Sequence, residues 1–90
     1  MKVGVRYLAQ LRQATGRSAE EVQWSGPGTV AGLVAVLAGR YPALGSVLID
    51  AAGRPRASVL VFVGDEQAGP DRILAEGDEV TLLTPIAGGG

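Results

Sequence analysis

A single segment in the middle of the chain has the periodicity of an amphipathic helix, and it separates two groups of strand-like segments. Thr29 is a good N-cap residue, and apolar residues follow it at helical spacing until Pro42, which prevents easy continuation of the helix. The apolar positions are Val30, Leu33, Val34, Leu37 and Tyr41. This pattern predicts one main helix that buries its apolar face in the core.

Four segments have the signature of β-strands. The first and second alternate apolar with polar residues, and the fourth follows a glycine turn. The third is a short β-branched and aromatic run, which we expect to be buried on most of its surface. They are residues 2–8, 20–24, 58–63 and Glu79–Leu83. We expect the first two to pair as a hairpin with a long connection, in which residues 9–14 form a short helical turn.

A hairpin, a helix and further strands, in that order, predict an α+β fold. The helix is expected to act as a crossover, which gives a mixed sheet of four to five strands packed on one main helix plus short helical turns. This is the ubiquitin-like β-grasp arrangement. We expect residues 1–85 to form this one domain and residues 86–90 to form a flexible glycine tail.

The surroundings of several individual residues can also be predicted. Ile73 and Leu74 are expected to plug the core after the Gly69-Pro70-Asp71 turn. Trp24 and Phe62 are interpreted as core or partial-core residues, because each lies in a strand without convergent polar groups. Gly32 and Gly39 lie inside the main helix, where we expect them to allow a close approach to the sheet.

The composition excludes several classes of function. The 8 basic and 9 acidic residues are mixed along the chain, so no nucleic-acid partner is expected. Cysteine and histidine are absent, which removes thiolate nucleophiles, the usual neutral-pH base and common metal ligands. The acidic pairs Asp65-Glu66 and Asp78-Glu79 are interpreted as solvated charge, so no metal site is expected. Neither a signal peptide nor a membrane-spanning run is recognisable, so we expect a cytoplasmic protein.

The sequence closes with three glycines after the last strand. A glycine tail has no Cβ atoms and can slide through a channel too narrow for side chains. The triplet is not a phosphate-binding loop, because no helix follows it. Glycine tails are also common as inert ends, but nothing else in this sequence offers comparable chemistry. We therefore expect the terminal carboxylate of Gly90 to be the reactive group.

Three stretches of the sequence together resemble one known family. They are residues 7–12 (YLAQLR), 74–80 (LAEGDEV) and 84–89 (TPIAGG). In this order and at this distance from the end, they look like the small, sulfur-carrying subunit of molybdopterin synthase. The wider family includes the thiamine-pathway sulfur carrier and related carriers for cysteine and tRNA thiolation.

The resemblance implies that the chain carries sulfur on its last residue. An activating enzyme of the ubiquitin-activating type would use ATP to adenylate the terminal carboxylate, and a sulfur donor protein would then supply the sulfur of a thiocarboxylate. A thiocarboxylate is a softer and stronger nucleophile than a carboxylate. The tail would enter the active site of the large subunit of molybdopterin synthase, within a heterotetramer, and deliver sulfur for dithiolene formation. No permanently bound cofactor is implied.

The chain departs from the family pattern at two positions. Relatives usually end in two glycines, so either Gly90 extends the tail by one residue and reacts itself, or Gly90 is trimmed and Gly89 reacts. Many relatives have asparagine in the turn after the third strand, where this chain has Gly64. Sulfur delivery to thiamine, cysteine or tRNA, and a ubiquitin-like protein modifier, therefore remain alternative functions.

Two leucines are predicted to bind a partner beside the tail. Leu8 and Leu83 are out of phase with the buried residues of the first and last strands, so both are expected on the outer face of the sheet. If those strands are neighbours, the leucines form one apolar patch. The residues of the tail are expected to contact the partner as well: Pro85, Ile86, Ala87, Gly88, Gly89 and Gly90.

Overall fold

The computed structural model describes residues 1–84, and within them a mixed sheet is covered on one face by one main helix. The strands are β1 (Lys2–Tyr7), β2 (Ala19–Gln23), β3 (Leu60–Val63), β4 (Glu66–Gln67) and β5 (Glu79–Leu83). The helices are α1 (Gln10–Thr15), α2 (Val30–Arg40) and α3 (Gly45–Leu48), with a 3-10 turn at Pro42–Leu44. The predicted α+β fold with one main helix is confirmed.

The strand order places the last strand in the centre of the sheet. The order is β2-β1-β5-β3-β4, with β1 and β5 parallel and the other neighbouring pairs antiparallel. Because β1 and β5 run in the same direction, they end at the same edge of the molecule. The chain therefore leaves the sheet after Thr84 close to the point where β1 leads into Leu8.

The main helix forms as its sequence pattern predicts. The Thr29 hydroxyl accepts a hydrogen bond from the Gly32 N–H at 3.1 Å, which caps the first turn. The helix packs one side against the inner face of the sheet, and each large apolar side chain buried there contributes about 1.5–3 kcal/mol. The most deeply buried of these residues are Val3, Val5, Tyr7, Val22, Val30, Leu33, Val34, Leu37, Val80 and Leu82.

Some element boundaries differ from the sequence prediction. β1 ends at Tyr7, so Leu8 lies just beyond it, and β3 begins at Leu60 rather than at residue 58. The short strand β4 was not predicted. It forms because Gly64 adopts a left-handed conformation, with a φ of 60°, which turns the chain back onto β3.

The prediction that Ile73 plugs the core is wrong. Leu74 is buried, but Ile73 is 77% exposed. The chain is extended here and lies beside the start of α2, where the Leu74 N–H donates to the Gly28 carbonyl at 2.9 Å. Since neighbouring side chains of an extended segment point in opposite directions, only one of the two can face inward.

The reason predicted for Gly32 and Gly39 is also wrong. A Cβ atom at Gly39 would meet no described atom within 4 Å, so nothing approaches this residue closely. A Cβ atom at Gly32 would clash with the Pro27 carbonyl oxygen. Gly32 therefore allows a close approach to the preceding loop, not to the sheet. The same carbonyl accepts a hydrogen bond from the Trp24 indole N–H at 2.9 Å, and Trp24 is buried in the core as predicted.

Candidate functional site

The outer face of the sheet carries four apolar side chains at the end where β1 and β5 finish. The outer apolar patch consists of Leu8, Leu60, Phe62 and Leu83. The Leu8 N–H donates to the Leu82 carbonyl at 3.1 Å, so Leu8 lies alongside the end of β5. Leu60 is paired with Leu83 across β3 and β5. Leu8 is 43% exposed, and the other three residues are half-buried.

The patch lies at the base of the predicted tail. Thr84 follows Leu83 directly, and its buried hydroxyl has no hydrogen-bond partner within residues 1–84. The predicted site residues that come next lie outside the described residues: Pro85, Ile86, Ala87, Gly88, Gly89 and Gly90. Their roles stay predictions. The structure brings Leu8 and Leu83 together, because β1 and β5 are neighbours.

Sequence reasoning missed two members of the patch. Residues 58–63 were interpreted as a strand buried on most of its surface, but the strand alternates. Val61 and Val63 face the core, whereas Leu60 and Phe62 face outward and are half-buried. The signal that could have found them is the regular spacing of the valines at every second position.

One ion pair lies on the same outer face of the sheet as the patch. Arg6 Nε lies 3.2 Å from Glu79 Oε1, with both side chains more than half exposed. A second exposed pair, Arg72 with Glu66 of β4 at 3.1 Å, lies on the opposite face of the sheet, because Glu66 is paired with the core-facing Val63. Exposed pairs of this kind stabilise a fold by about 0–1 kcal/mol. Their value at an interface is to orient a partner, since apolar centres with polar rims are typical of protein-binding surfaces.

A buried carboxylate on the inner face joins β1, β2 and the end of α2. Glu20 Oε2 accepts hydrogen bonds from the Tyr7 hydroxyl at 2.6 Å and from the Tyr41 hydroxyl at 2.5 Å. Arg17 and Arg40 approach Glu20 Oε1 to 3.3 and 3.6 Å. The two tyrosine rings meet edge to face, with their centres 6.1 Å apart. The carboxylate is fully partnered, so we interpret it as a structural anchor.

The protonation states of this cluster follow from its contacts. Burial alone would raise the pKa of Glu20, but the tyrosine hydrogen bonds and the two guanidiniums outweigh it and lower that pKa below its ordinary value. Burial and the hydrogen bond to the carboxylate raise the pKa of Tyr7 and of Tyr41. At neutral pH the carboxylate is therefore ionised and both tyrosines are neutral donors.

Within residues 1–84, no group of three or more aspartates or glutamates is placed to hold a metal ion. In the same part of the chain, none of the helices is both long and apolar enough to span a membrane. Of the acidic pairs predicted to be solvated, Asp65, Glu66 and Glu79 are exposed, whereas Asp78 is half-buried and its Oδ2 accepts a hydrogen bond from the Ala75 N–H at 2.8 Å.

Known proteins similar to this chain share both its sequence pattern and its fold. The model of the ThiS family matches residues 5–89. SAMP1 from Haloferax volcanii is 27% identical with a TM-score of 0.86, and the match covers 98% of this chain and 99% of that chain. The putative molybdopterin converting factor subunit 1 from Pyrococcus furiosus is 25% identical with a TM-score of 0.78, covering 96% and 99%.

A third solved structure is that of a complex. A chain of the BexX/CysO complex from Amycolatopsis orientalis is 26% identical with a TM-score of 0.71, and the match covers 96% of this chain and 98% of that chain. No curated protein matches the chain. The matches extend over almost the whole length of these relatives, so they concern the complete domain and not a shared fragment.

Proposed function

Because the chain belongs to the ThiS family of ubiquitin-like sulfur carriers, we propose that it carries sulfur as a thiocarboxylate on its last glycine. The observation that supports this most strongly is the family match, which continues past the described domain to Gly89. The tail is thus included in what this chain shares with the carriers. The reacting residue is Gly90 in the intact chain, or Gly89 if Gly90 is removed.

The proposed chemistry has two steps, and other proteins provide the catalytic groups for both. First, a carboxylate oxygen attacks the α-phosphorus of ATP in an adenylating enzyme, and pyrophosphate leaves. Second, hydrosulfide supplied by a donor protein attacks the activated carbonyl carbon, AMP leaves with the C–O bond electrons, and the sulfur loses its proton to solvent. The resulting thiocarboxylate is ionised at neutral pH and transfers its sulfur to the final acceptor. Since these steps use ATP, we place the protein in the cytoplasm.

The outer apolar patch gives this function a docking surface. An adenylating enzyme and an acceptor enzyme must each hold the domain while the tail reaches their active sites. Leu8 and Leu83 lie where β5 ends, and Leu60 and Phe62 extend the surface across β3. A partner that covers this patch therefore receives the tail directly, without the chain crossing the molecule.

We propose molybdopterin synthesis as the destination of the sulfur. The three sequence stretches at residues 7–12, 74–80 and 84–89 support this branch, as does the similarity to the molybdopterin converting factor from Pyrococcus furiosus. The chain would be the small subunit of a heterotetramer whose large subunit supplies the acids and bases that form the dithiolene.

A second candidate function is protein modification. It is favoured by the similarity to SAMP1, a small archaeal modifier protein. In that reaction, a lysine amine would attack the adenylated carbonyl of the last glycine and form an isopeptide bond, as AMP leaves and the nitrogen loses a proton. Sulfur delivery for thiamine, cysteine or tRNA is a further alternative within the carrier class.

Reconstitution with partners from the same host tests the proposal. The purified chain is combined with the large subunit, the adenylating enzyme, a sulfur donor and ATP, and dithiolene formation is measured. We expect product with the intact chain and none after deletion of residues 88–90, while circular dichroism shows the same fold for both. Formation of only a thiazole, cysteine or thiolated tRNA product in parallel reactions would contradict the molybdopterin assignment.

A further inference from the structure

The strand β2 forms one edge of the sheet within residues 1–84, and part of its backbone has no partner strand there. The Tyr7 N–H donates to the Ser18 carbonyl at 2.9 Å. In an antiparallel pair, alternate residues exchange hydrogen bonds, so every second residue of β2 directs its N–H and C=O groups away from β1. These residues are Ala19, Glu21 and Gln23. Such an edge is a template for an added strand.

An apolar groove begins where this edge strand ends. It lies between the chain that follows β2 and the adjacent side of α2, and its volume is about 460 Å³. Trp24 and Pro27 form one wall, and Gly32, Ala35 and Val36 form the other. Ala35 is exposed, and Val36 is half-buried. Side chains of a strand added to β2 would point into this groove at the level of Trp24.

The opposite end of β2 is cationic. Arg17 and Arg40 flank the single carboxylate of Glu20, and their side chains are 54% and 40% exposed. Two guanidiniums beside one carboxylate leave an excess of positive charge. Glu20, Val22 and Trp24 occupy alternate positions on the side of β2 that faces α2. An added strand would therefore meet a cationic region and, four residues along, an apolar groove.

We propose that β2 and this groove bind an extended segment of a partner protein by strand addition. The segment carries an acidic residue, which pairs with Arg17 and Arg40, and apolar residues two and four positions away, which enter the groove. A second copy of this chain fits poorly, because antiparallel pairing of two β2 strands centred on Glu21 would place the two Glu21 carboxylates opposite each other. This surface is separate from the outer apolar patch, so the inference goes beyond sulfur transfer.

Peptide binding to the full chain tests this inference without any sulfur chemistry. The probes are two fluorescein-labelled peptides, Ser-Asp-Thr-Val-Thr-Val-Ser and its reverse, which cover both strand directions. We expect one of them to bind with a Kd below about 1 mM. The largest amide NMR shifts should occur at Ala19, Glu21 and Gln23, and the fluorescence of Trp24 should change. Replacing aspartate by lysine in the peptide should weaken binding at least about fivefold.

Two matched variants locate the binding site. Ala35→Glu places a charge in the groove and should weaken peptide binding at least about tenfold. Ala14→Glu introduces the same change at an exposed position of α1 and should leave binding unchanged. The inference is overturned if neither peptide binds, if the shifts map to another surface, or if both variants weaken binding equally. Shifts at β2 that depend only on protein concentration would identify a second copy as the occupant and would also overturn it.

Discussion

Truncation of Leu8 tests whether the outer apolar patch binds partners of the carrier. The variant Leu8→Ala removes the most exposed side chain of the patch. Ile73→Ala is the matched control, because Ile73 is an exposed aliphatic residue outside the patch. We expect the Leu8 variant to bind the adenylating enzyme more weakly, and the Ile73 variant to bind it as well as the wild-type chain does.

The size of the effect follows from the area that is still exposed. Full burial of a leucine side chain stabilises by about 1.5–3 kcal/mol. Leu8 is 43% exposed in the free domain, so covering that remainder in a complex contributes about 0.6–1.3 kcal/mol. This corresponds to a Kd that rises roughly threefold to ninefold on truncation. Leu8→Glu should raise the Kd further than Leu8→Ala does, because a carboxylate would be buried in an apolar contact.

Isothermal titration of the adenylating enzyme with each variant gives the two Kd values, and circular dichroism checks that both variants are folded. ATP–pyrophosphate exchange then provides a second measurement. When the concentration of the chain is below saturation, the weaker binding of Leu8→Ala should appear as a lower exchange rate. Equal binding by the wild-type chain and Leu8→Ala would refute the docking role of the patch. An equal loss of binding in Ile73→Ala would show that the effect is not specific to the patch.

Further predictions concern stability. Glu20→Gln should lower the free energy of unfolding by about 2–3 kcal/mol, and Tyr41→Phe by about 1–2 kcal/mol, in urea titrations at pH 7. Because folding lowers the pKa of Glu20, the ionised carboxylate stabilises the fold at pH values above the ordinary glutamate pKa. This stabilisation is lost as the pH falls through the lower pKa of the folded state. The free energies of unfolding of the wild-type chain and of Glu20→Gln, measured against pH, should therefore converge in acid. Gly32→Ala should destabilise by about 1–3 kcal/mol because its Cβ would meet Pro27. Gly39→Ala, whose Cβ would meet no described atom within 4 Å, should stabilise by about 0.5–1 kcal/mol, measured as a shift in Tm; a loss of stability there would contradict this.

Local patterns were sufficient to predict most of the fold. The helix α2 follows from the apolar spacing after Thr29 and the stop at Pro42, and both features act within a few residues of each other. The alternation of apolar and polar residues that predicts β1 is also a local signal, as is the short run Glu79–Leu83 that predicts β5. Ile73 was assigned incorrectly, because an isolated pair of apolar residues in an extended segment does not indicate which of the two faces inward.

The Glu20 cluster was not predicted, because its members are distant in the sequence. Tyr7 and Tyr41 lie 13 and 21 residues from Glu20 and meet it only when β1, β2 and α2 assemble. The sequence nevertheless contained a signal for this cluster. Glu20 shares the alternating phase of Val22 and Trp24, both of which are buried. A charged residue in a buried phase requires partners, so that phase predicts a polar cluster under the sheet.

The mass of the intact chain, isolated from its native host, tests the central claim most directly. Replacement of one terminal oxygen by sulfur adds about 16 Da, and fragmentation should locate this increase on Gly90, or on Gly89 after removal of the last residue. We predict a population of the chain with this added mass. A chain that carries only an ordinary carboxylate while its sulfur acceptor is being made, or one found only in isopeptide linkage to lysine, would contradict the account.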